Sequence, residues 1–222
     1  VAPNQPCKRI MHGIRLYRRL TDKKAALLDR VRDLALTGRP LLIGTCSVEE
    51  SEQVSAWLQQ INVDHQVLNA RQDRHEADIV AGAGKKGAIT VATNMAGRGT
   101  DIELGPGVEE LGGLHVISLS LNSSQRLDRQ LYGRCARQGD PGSAEALLSL
   151  EDSSLANCPG STMLNWLSRV YAEGRPVKGW VCSPFLRMAQ RRYESQQEKI
   201  RKALMKQDKQ LRRTLAFAGR FE

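Results

Sequence analysis

The chain has 222 residues, 41% of them hydrophobic and 26% charged, enough for one large domain or a medium domain with an appendage. Its longest apolar runs, around Leu41–Ile43 and Ala88–Ala92, are too short to span a bilayer. Five scattered cysteines and four histidines complete no C-x-x-C pair and no zinc-ligand spacing, so neither a metal site nor a disulfide is expected.

The net charge of +9 is unevenly placed. From Pro184 to Glu222 there are eleven Lys/Arg against four Asp/Glu, a net +7, so the first 183 residues are close to balanced. That asymmetry predicts two parts with different partners, a globular domain and a basic appendage. The chain starts at Val1 without a leader-like apolar segment, which suggests a piece of a longer protein, soluble or peripheral.

In chain order, "TDKKAALLDRVRDLAL" carries an apolar helical stripe through Leu27, Leu28, Val31, Leu34 and Ala35, ended by Gly38 and Pro40. "LLIGTC" follows as a short buried strand. Ser47 opens a second helix with Glu50 completing a capping box, its apolar positions being Val54, Trp57, Leu58 and Ile61. "HQVLNA" reads as a strand, and Asp73 with Glu76 caps a short helix through Ala83. Then come "AITVATN", a Gly-rich loop, "LHVISLSL", a polar helix from about Ser124, and "AEALLSLED". Strands separated by such helices indicate βαβ units in a parallel sheet, whose ligands sit beyond the carboxyl ends of the strands. Past Asp152 the pattern dissolves, with a short amphipathic helix predicted over Met163–Tyr171. From about Ser183 to Phe217, Leu186, Ala189, Tyr193, Ile200, Leu204, Leu211 and Leu215 form one stripe on a helix of roughly 45–50 Å. A single stripe needs a partner surface, in the globular domain, another domain or another chain.

Two arginine motifs carry the chemistry. In "TNMAGRGTD", Thr93–Asp101, Gly97 and Gly99 let the main chain approach a ligand. Arg98 supplies a forked cation suited to phosphate oxygens, and Asp101 can orient it, contact a ribose or hold a metal-bound water. In "QLYGRCARQGDPG", Gln130–Gly142, Arg134 and Arg137 are predicted to share one helix face, with Gln130 a turn earlier and "GDPG" ending the helix. Two guanidinium groups on one face repel each other unless an anion lies between them. A surface turn and a solvated basic patch are the plainer readings.

The pattern Q-x-x-G-R-x-x-R at Gln130, Gly133, Arg134 and Arg137 resembles the last motif of superfamily-two helicase motors. "TNMAGRGTDIELG" and "QGDPGSAEALLSLED" resemble SecA, the ATPase motor of bacterial preprotein translocation. "LLIGTCSVEESE" and "HQVLNARQDRHEADIVAGAGKKGAITVAT" resemble its second RecA-like domain in the same order, and "AQRRYESQQEKIRKALMKQD" the start of its helical scaffold. The resemblance implies an α/β fold: a RecA-like parallel sheet sandwiched by helices over residues 1–152, a connecting segment with a short helix over 153–183, and the basic scaffold helix over 184–222. It also implies that Asp101 contacts a nucleotide, that Arg98 and Arg137 approach its terminal phosphates, and that Arg134 and Gln130 complete an interdomain face. ATP with Mg would be held mainly by a first RecA-like domain of the same protein. The other partners implied are a preprotein and a protein-conducting membrane channel, at the cytoplasmic face of the plasma membrane.

No G-x-x-x-x-G-K-[ST] cradle occurs, and "GAGKKGA" at Gly82–Ala88 has the wrong spacing, so this chain alone is expected to bind ATP weakly and not hydrolyse it. Departures from the SecA pattern fall at Ser118–Gln125, at Tyr132 in place of an arginine, and at Cys135-Ala136 in place of a Ser-Gly pair. They suggest a divergent SecA-like protein. Two rivals stand beside it: a nucleic-acid motor, disfavoured by 5% aromatic content without a stacking cluster, and a scaffold with vestigial arginines. The basic helix also fits anionic lipid, or a helix docked on its own protein.

Overall fold

A computed structural model describes residues 6–68, 76–93, 100–156 and 176–218. The elements are β1 (Lys8–Tyr17), α1 (Leu20–Thr37), β2 (Leu41–Thr45), α2 (Val48–Gln60), β3 (Gln66–Leu68), α3 (Glu76–Gly82), β4 (Ile89–Thr93), β5 (Leu114–Ser118), α4 (Gln125–Tyr132), β6 (Pro141–Ser149), α5 (Ser153–Ala156), β7 (Val177–Lys178) and α6 (Gly179–Ala218). Among the described residues seven strands make one sheet in the order β3-β4-β2-β5-β6-β1-β7. Six are parallel and only β7, at the edge, runs antiparallel to its neighbour. The expected α/β architecture, a RecA-like parallel sheet covered by helices and followed by one long helix, is therefore present.

The sheet is buried on both faces because its strands are apolar at successive positions. Leu41, Ile43, Ile89, Val91, Ile117 and Leu147 face α1 and α2, meeting Leu27, Val31, Val54 and Leu58. Leu42, Ala92, Leu114, Val116 and Ala144 face the other way, against Val80 of α3 and Leu131 of α4. Further along that second face, Leu16, Ala146 and Leu148 receive Cys182 and Leu186 of α6. The helix stops and starts follow the sequence. Gly38 closes α1 in the left-handed region at φ 72°. Ser47 accepts from the Glu50 amide at 3.1 Å, but the Glu50 carboxylate takes the Cys46 amide rather than closing the reciprocal box.

Three differences stand out. β1 has no counterpart in the sequence reading. Its register with β6 slips between Met11 and Gly13, so Met11, Ile14 and Leu16 share a face at unequal spacing and the period-two signal vanishes. The long helix starts at Gly179 and holds Pro184 in its sixth position, ahead of the expected start near Ser183. The third concerns α4 and is described with the site. The helix expected over Met163–Tyr171 and the cap at Asp73 lie outside the described residues. Among those described, no helix is long and apolar enough to cross a membrane.

Candidate nucleotide-facing site

The helix carrying the second arginine motif is shorter than its sequence suggests. Ser124 caps α4 by accepting from the Leu127 amide, but the helix ends at Tyr132 with Gly133 as its C-cap. Arg134 and Arg137 therefore do not share a helix face. The reason is that Cys135 and Ala136 turn inward beneath the start of β6, where both are buried. They approach Gly142 so closely that a Cβ there would lie 2.7 Å from the Ala136 nitrogen. Arg9 of β1 clamps this turn by donating twice to the Cys135 carbonyl, at 3.1 and 3.3 Å. The chain then leaves through positive φ at Ala136, Gln138 and Gly139.

That loop, rather than a helix face, brings the two arginines to adjacent residues, Thr100 and Asp101. Arg137 donates from Nη1 to Asp101 Oδ1 at 2.7 Å and from Nε to the Gly133 carbonyl at 2.7 Å. Arg134 donates to the Thr100 carbonyl at 3.2 Å. Gln138, absent from the sequence reading, donates to Asp101 Oδ2 at 3.2 Å. The Ile102 amide binds Asp101 Oδ1 at 3.0 Å and fixes the carboxylate in its own turn. Arg134 thus meets a neutral carbonyl, while Asp101 pairs with Arg137. Its side chain and that of Arg137 are each 37% exposed, so this charge-assisted pair is open to solvent and to an incoming anion. Gln130 sits half-buried in the last turn of α4, and no described hydrogen bond joins it to this group. Gly97, Arg98 and Gly99 lie outside the described residues.

The glycine run that echoes a phosphate loop has a packing role. A Cβ on Gly84 would stand 1.9 Å from the Glu103 carbonyl oxygen, and the Gly105 amide donates to the Gly84 carbonyl at 2.9 Å. The run admits the segment that follows Asp101, and Ile102 is buried beside it.

A second polar group escaped the sequence reading because its members are far apart in the chain. Gln190 of α6, 4% exposed, donates to the Asn122 carbonyl at 2.9 Å and to Asp128 Oδ2 at 2.6 Å. The Asn122 side chain donates to Asp128 Oδ1 at 2.7 Å, and Glu194 of α6 accepts from the Gln125 amide at 3.0 Å. Burial pushes the Asp128 carboxyl up from its ordinary range, against the lowering effect of the Gln190 and Asn122 hydrogen bonds. Tyr132, where an arginine was expected, is half-buried and hydrogen-bonded to Ser118. Burial and the nearby Asp128 charge both push its hydroxyl up. Between α4, β1 and α6 lies a cavity of 290 Å³ whose lining includes Met11, Ile14, Asp128, Tyr132, Leu186 and Arg187.

Comparison with known proteins gives a consistent picture. The family model for the SecA P-loop domain matches residues 6–109 and 106–174. Protein translocase subunit SecA 3 of Magnetococcus marinus is 44% identical over all of this chain and 34% of its own length. SecA of Lawsonia intracellularis is 43% identical over 94% of this chain and 25% of its own. The chain thus spans about a third or less of the curated relatives it matches. Among solved structures, the E. coli DEAD-box protein SrmB, bound to the regulator RraA, superposes with a TM-score of 0.54 at 20% identity. The match covers 74% of this chain and 88% of that one. Mss116p bound to single-stranded RNA and AMP-PNP matches with a TM-score of 0.50 at 16% identity, over 69% and 30% of the two chains. These two likenesses are of fold.

Proposed function

The chain belongs to the SecA family, and from that premise we propose that it is the second RecA-like motor domain of a SecA-like ATPase that couples ATP hydrolysis to preprotein translocation. The observation that carries this reading is the convergence of Arg134 and Arg137 on Thr100–Asp101. Two fixed cations from the loop after α4 meet the segment that the Gly97-Arg98-Gly99 tripeptide leads into. Asp101 holds Arg137 in place until a more highly charged anion competes for it. A nucleotide's terminal phosphates offer several acceptor oxygens to the guanidinium fork.

In this reading ATP, with Mg, is held mainly by a first RecA-like domain of the same protein, and supplies the phosphoryl group that is transferred to water. The residues of this chain do the rest. Arg137 and Arg98 stabilise negative charge on the terminal phosphates. Arg134 ties its loop to the Thr100 carbonyl, Asp101 orients Arg137 and contacts the nucleotide, and Gln130 faces the first domain. Gly97 and Gly99 give the backbone its close approach. The chemistry present fits that role, a set of forked cations with one carboxylate to aim them. It does not supply a triphosphate cradle, so the chain alone binds ATP weakly and turns none over. The partners are the first motor domain, a preprotein and a protein-conducting membrane channel. The protein works in the cytoplasm at the inner face of the plasma membrane, where the basic residues of α6 can meet anionic lipid.

In the full-length protein, Arg137→Ala is expected to lower kcat for ATP by about 10³-fold, with a smaller change in KM. Unchanged turnover in both Arg137→Ala and Arg98→Ala proteins would make the arginines vestigial and sink the reading. Stimulation of turnover by single-stranded nucleic acid, in place of stimulation by a preprotein, would move the protein to the helicase-type motors.

A further inference from the structure

The hydrogen bonds that join α6 to α4 lie at the opposite end of α4 from the arginine loop. At its first turn, Gln190 and Glu194 of α6 hold Asn122, Gln125 and Asp128. Just past its last turn, Arg134 and Arg137 reach Thr100 and Asp101. α4 has eight residues, a rod of about 12 Å at the usual rise, and Leu131 is packed against Gly44 of β2. So short a helix, gripped at one end by α6, transmits a displacement of that end to the other with little internal give.

We infer that Gln190 and Glu194 are positioning residues for the arginine loop, so that the placement of the long helix sets the aim of Arg137. The inference rests on the proposed role of Arg137. Three features favour it over a merely structural contact. The knot's centre is buried, with Gln190 and Asn122 at 4% and 3% exposure, so its hydrogen bonds hold α4 against sliding. It is doubly engaged, since the Gln190 side-chain nitrogen donates to two acceptors and both Asp128 oxygens have donors, which fixes direction as well as distance. Glu194 also places a carboxylate oxygen on a backbone amide of α4's first turn, where the helix carries unsatisfied N–H groups.

The test uses the full-length protein and reads ATP turnover alongside amide exchange of α4. Gln190→Ala is expected to lower kcat by about 10- to 100-fold with little change in KM, and to speed exchange at Leu127–Leu131. Glu194→Ala is expected to act in the same direction, and Glu194→Gln, which keeps the acceptor oxygen, to recover most of the loss. The deciding measurement is the double variant. If Gln190 acts through the arginine, Gln190→Ala/Arg137→Ala is no slower than Arg137→Ala alone. Losses that multiply would overturn the inference while leaving the role of Arg137 intact. An Arg137→Ala protein of normal turnover would instead overturn the underlying reading. Should Gln190→Ala fail to fold, the Glu194→Ala and Glu194→Gln pair, each combined with Arg137→Ala, decides the question in the same way.

Discussion

Glu145 lies in the middle of β6 with no exposed surface, and its charge survives there because a chain of donors ends on it. Arg39 donates to Ser143 Oγ at 2.8 Å. The Ser143 hydroxyl meets His115 Nδ1 at 2.6 Å, and His115 Nε2 meets Glu145 Oε1 at 2.9 Å. Arg30 donates to the same oxygen at 2.8 Å, and Arg15 stands 3.6 Å from the other. Burial pushes the carboxyl up, but the His115 and Arg30 hydrogen bonds and the Arg30 charge outweigh it and hold the group at about 2. Burial pushes His115 below its ordinary value, which keeps the ring neutral, with Nε2 as donor and Nδ1 as acceptor. Both shifts are downward, so both contributions to stability are complete above the unfolded-state values and are lost as pH falls. For Glu145 the window runs from about pH 4.5 to about 2 and is worth about 3 kcal/mol. The melting temperature should therefore fall through that window. Glu145→Gln should flatten the fall and cost roughly 3 kcal/mol at neutral pH by leaving Arg30 facing a neutral amide. None of this was legible in the sequence, where His115 looks like any strand histidine. Arg134, Arg137 and Asp101 were named from spacing and resemblance, and they lie within one hydrogen-bonded cluster. Gln138 was not, because the positive φ that turns it toward Asp101 leaves no mark on a residue that tolerates it poorly.

At the scale of elements, strands and helices with regular apolar spacing were readable, and those shaped by tertiary contact were not. α1 and α2 followed their stripes because a buried face dictates period and cap together. β1 was invisible because its bulge offsets the face it buries. α4 was overextended because nothing in "GRCAR" announces that Cys135 and Ala136 will be buried. Close approaches between elements give a further prediction. A Cβ at Gly84 would meet the Glu103 backbone oxygen at 1.9 Å, whereas one at Gly44 would first meet the Leu131 side chain, its methyls at 2.4 and 2.7 Å. A rotamer can yield where a backbone carbonyl cannot. Gly44→Ala is thus expected to cost about 1–3 kcal/mol by overpacking and Gly84→Ala distinctly more, as read from chemical denaturation midpoints. The opposite order would show that the segment after Asp101 is more yielding than α4.

For the whole molecule, the basic segment read from the sequence falls on α6, which is docked at one end and exposed further along. α6 is held to the sheet through Cys182, Leu186, Ala189 and Gln190. Further along, Ile200, Leu204, Met205 and Leu211 are exposed. The stripe was expected to need a partner surface, and its first turns have one within this chain. Brief trypsin treatment of the 222-residue chain should therefore cut first between Lys199 and Lys209, leaving a fragment that retains the sheet. Initial cleavage within α4 or β6 would contradict that arrangement.

The place of β1 in the sheet has a consequence for how the protein is made. It is synthesised before every other described strand, yet its parallel partner is β6, with Lys8 opposite Pro141 and Tyr17 opposite Ser149. The inner strands β4, β2 and β5 can associate as they emerge from the ribosome, while β1 must wait, with its apolar face uncovered, until Pro141–Ser149 has followed them. The pairing that closes the sheet also completes the floor on which α6 rests, so the long helix docks after it. A nascent chain stalled before β6 should accordingly be the species that most needs a chaperone.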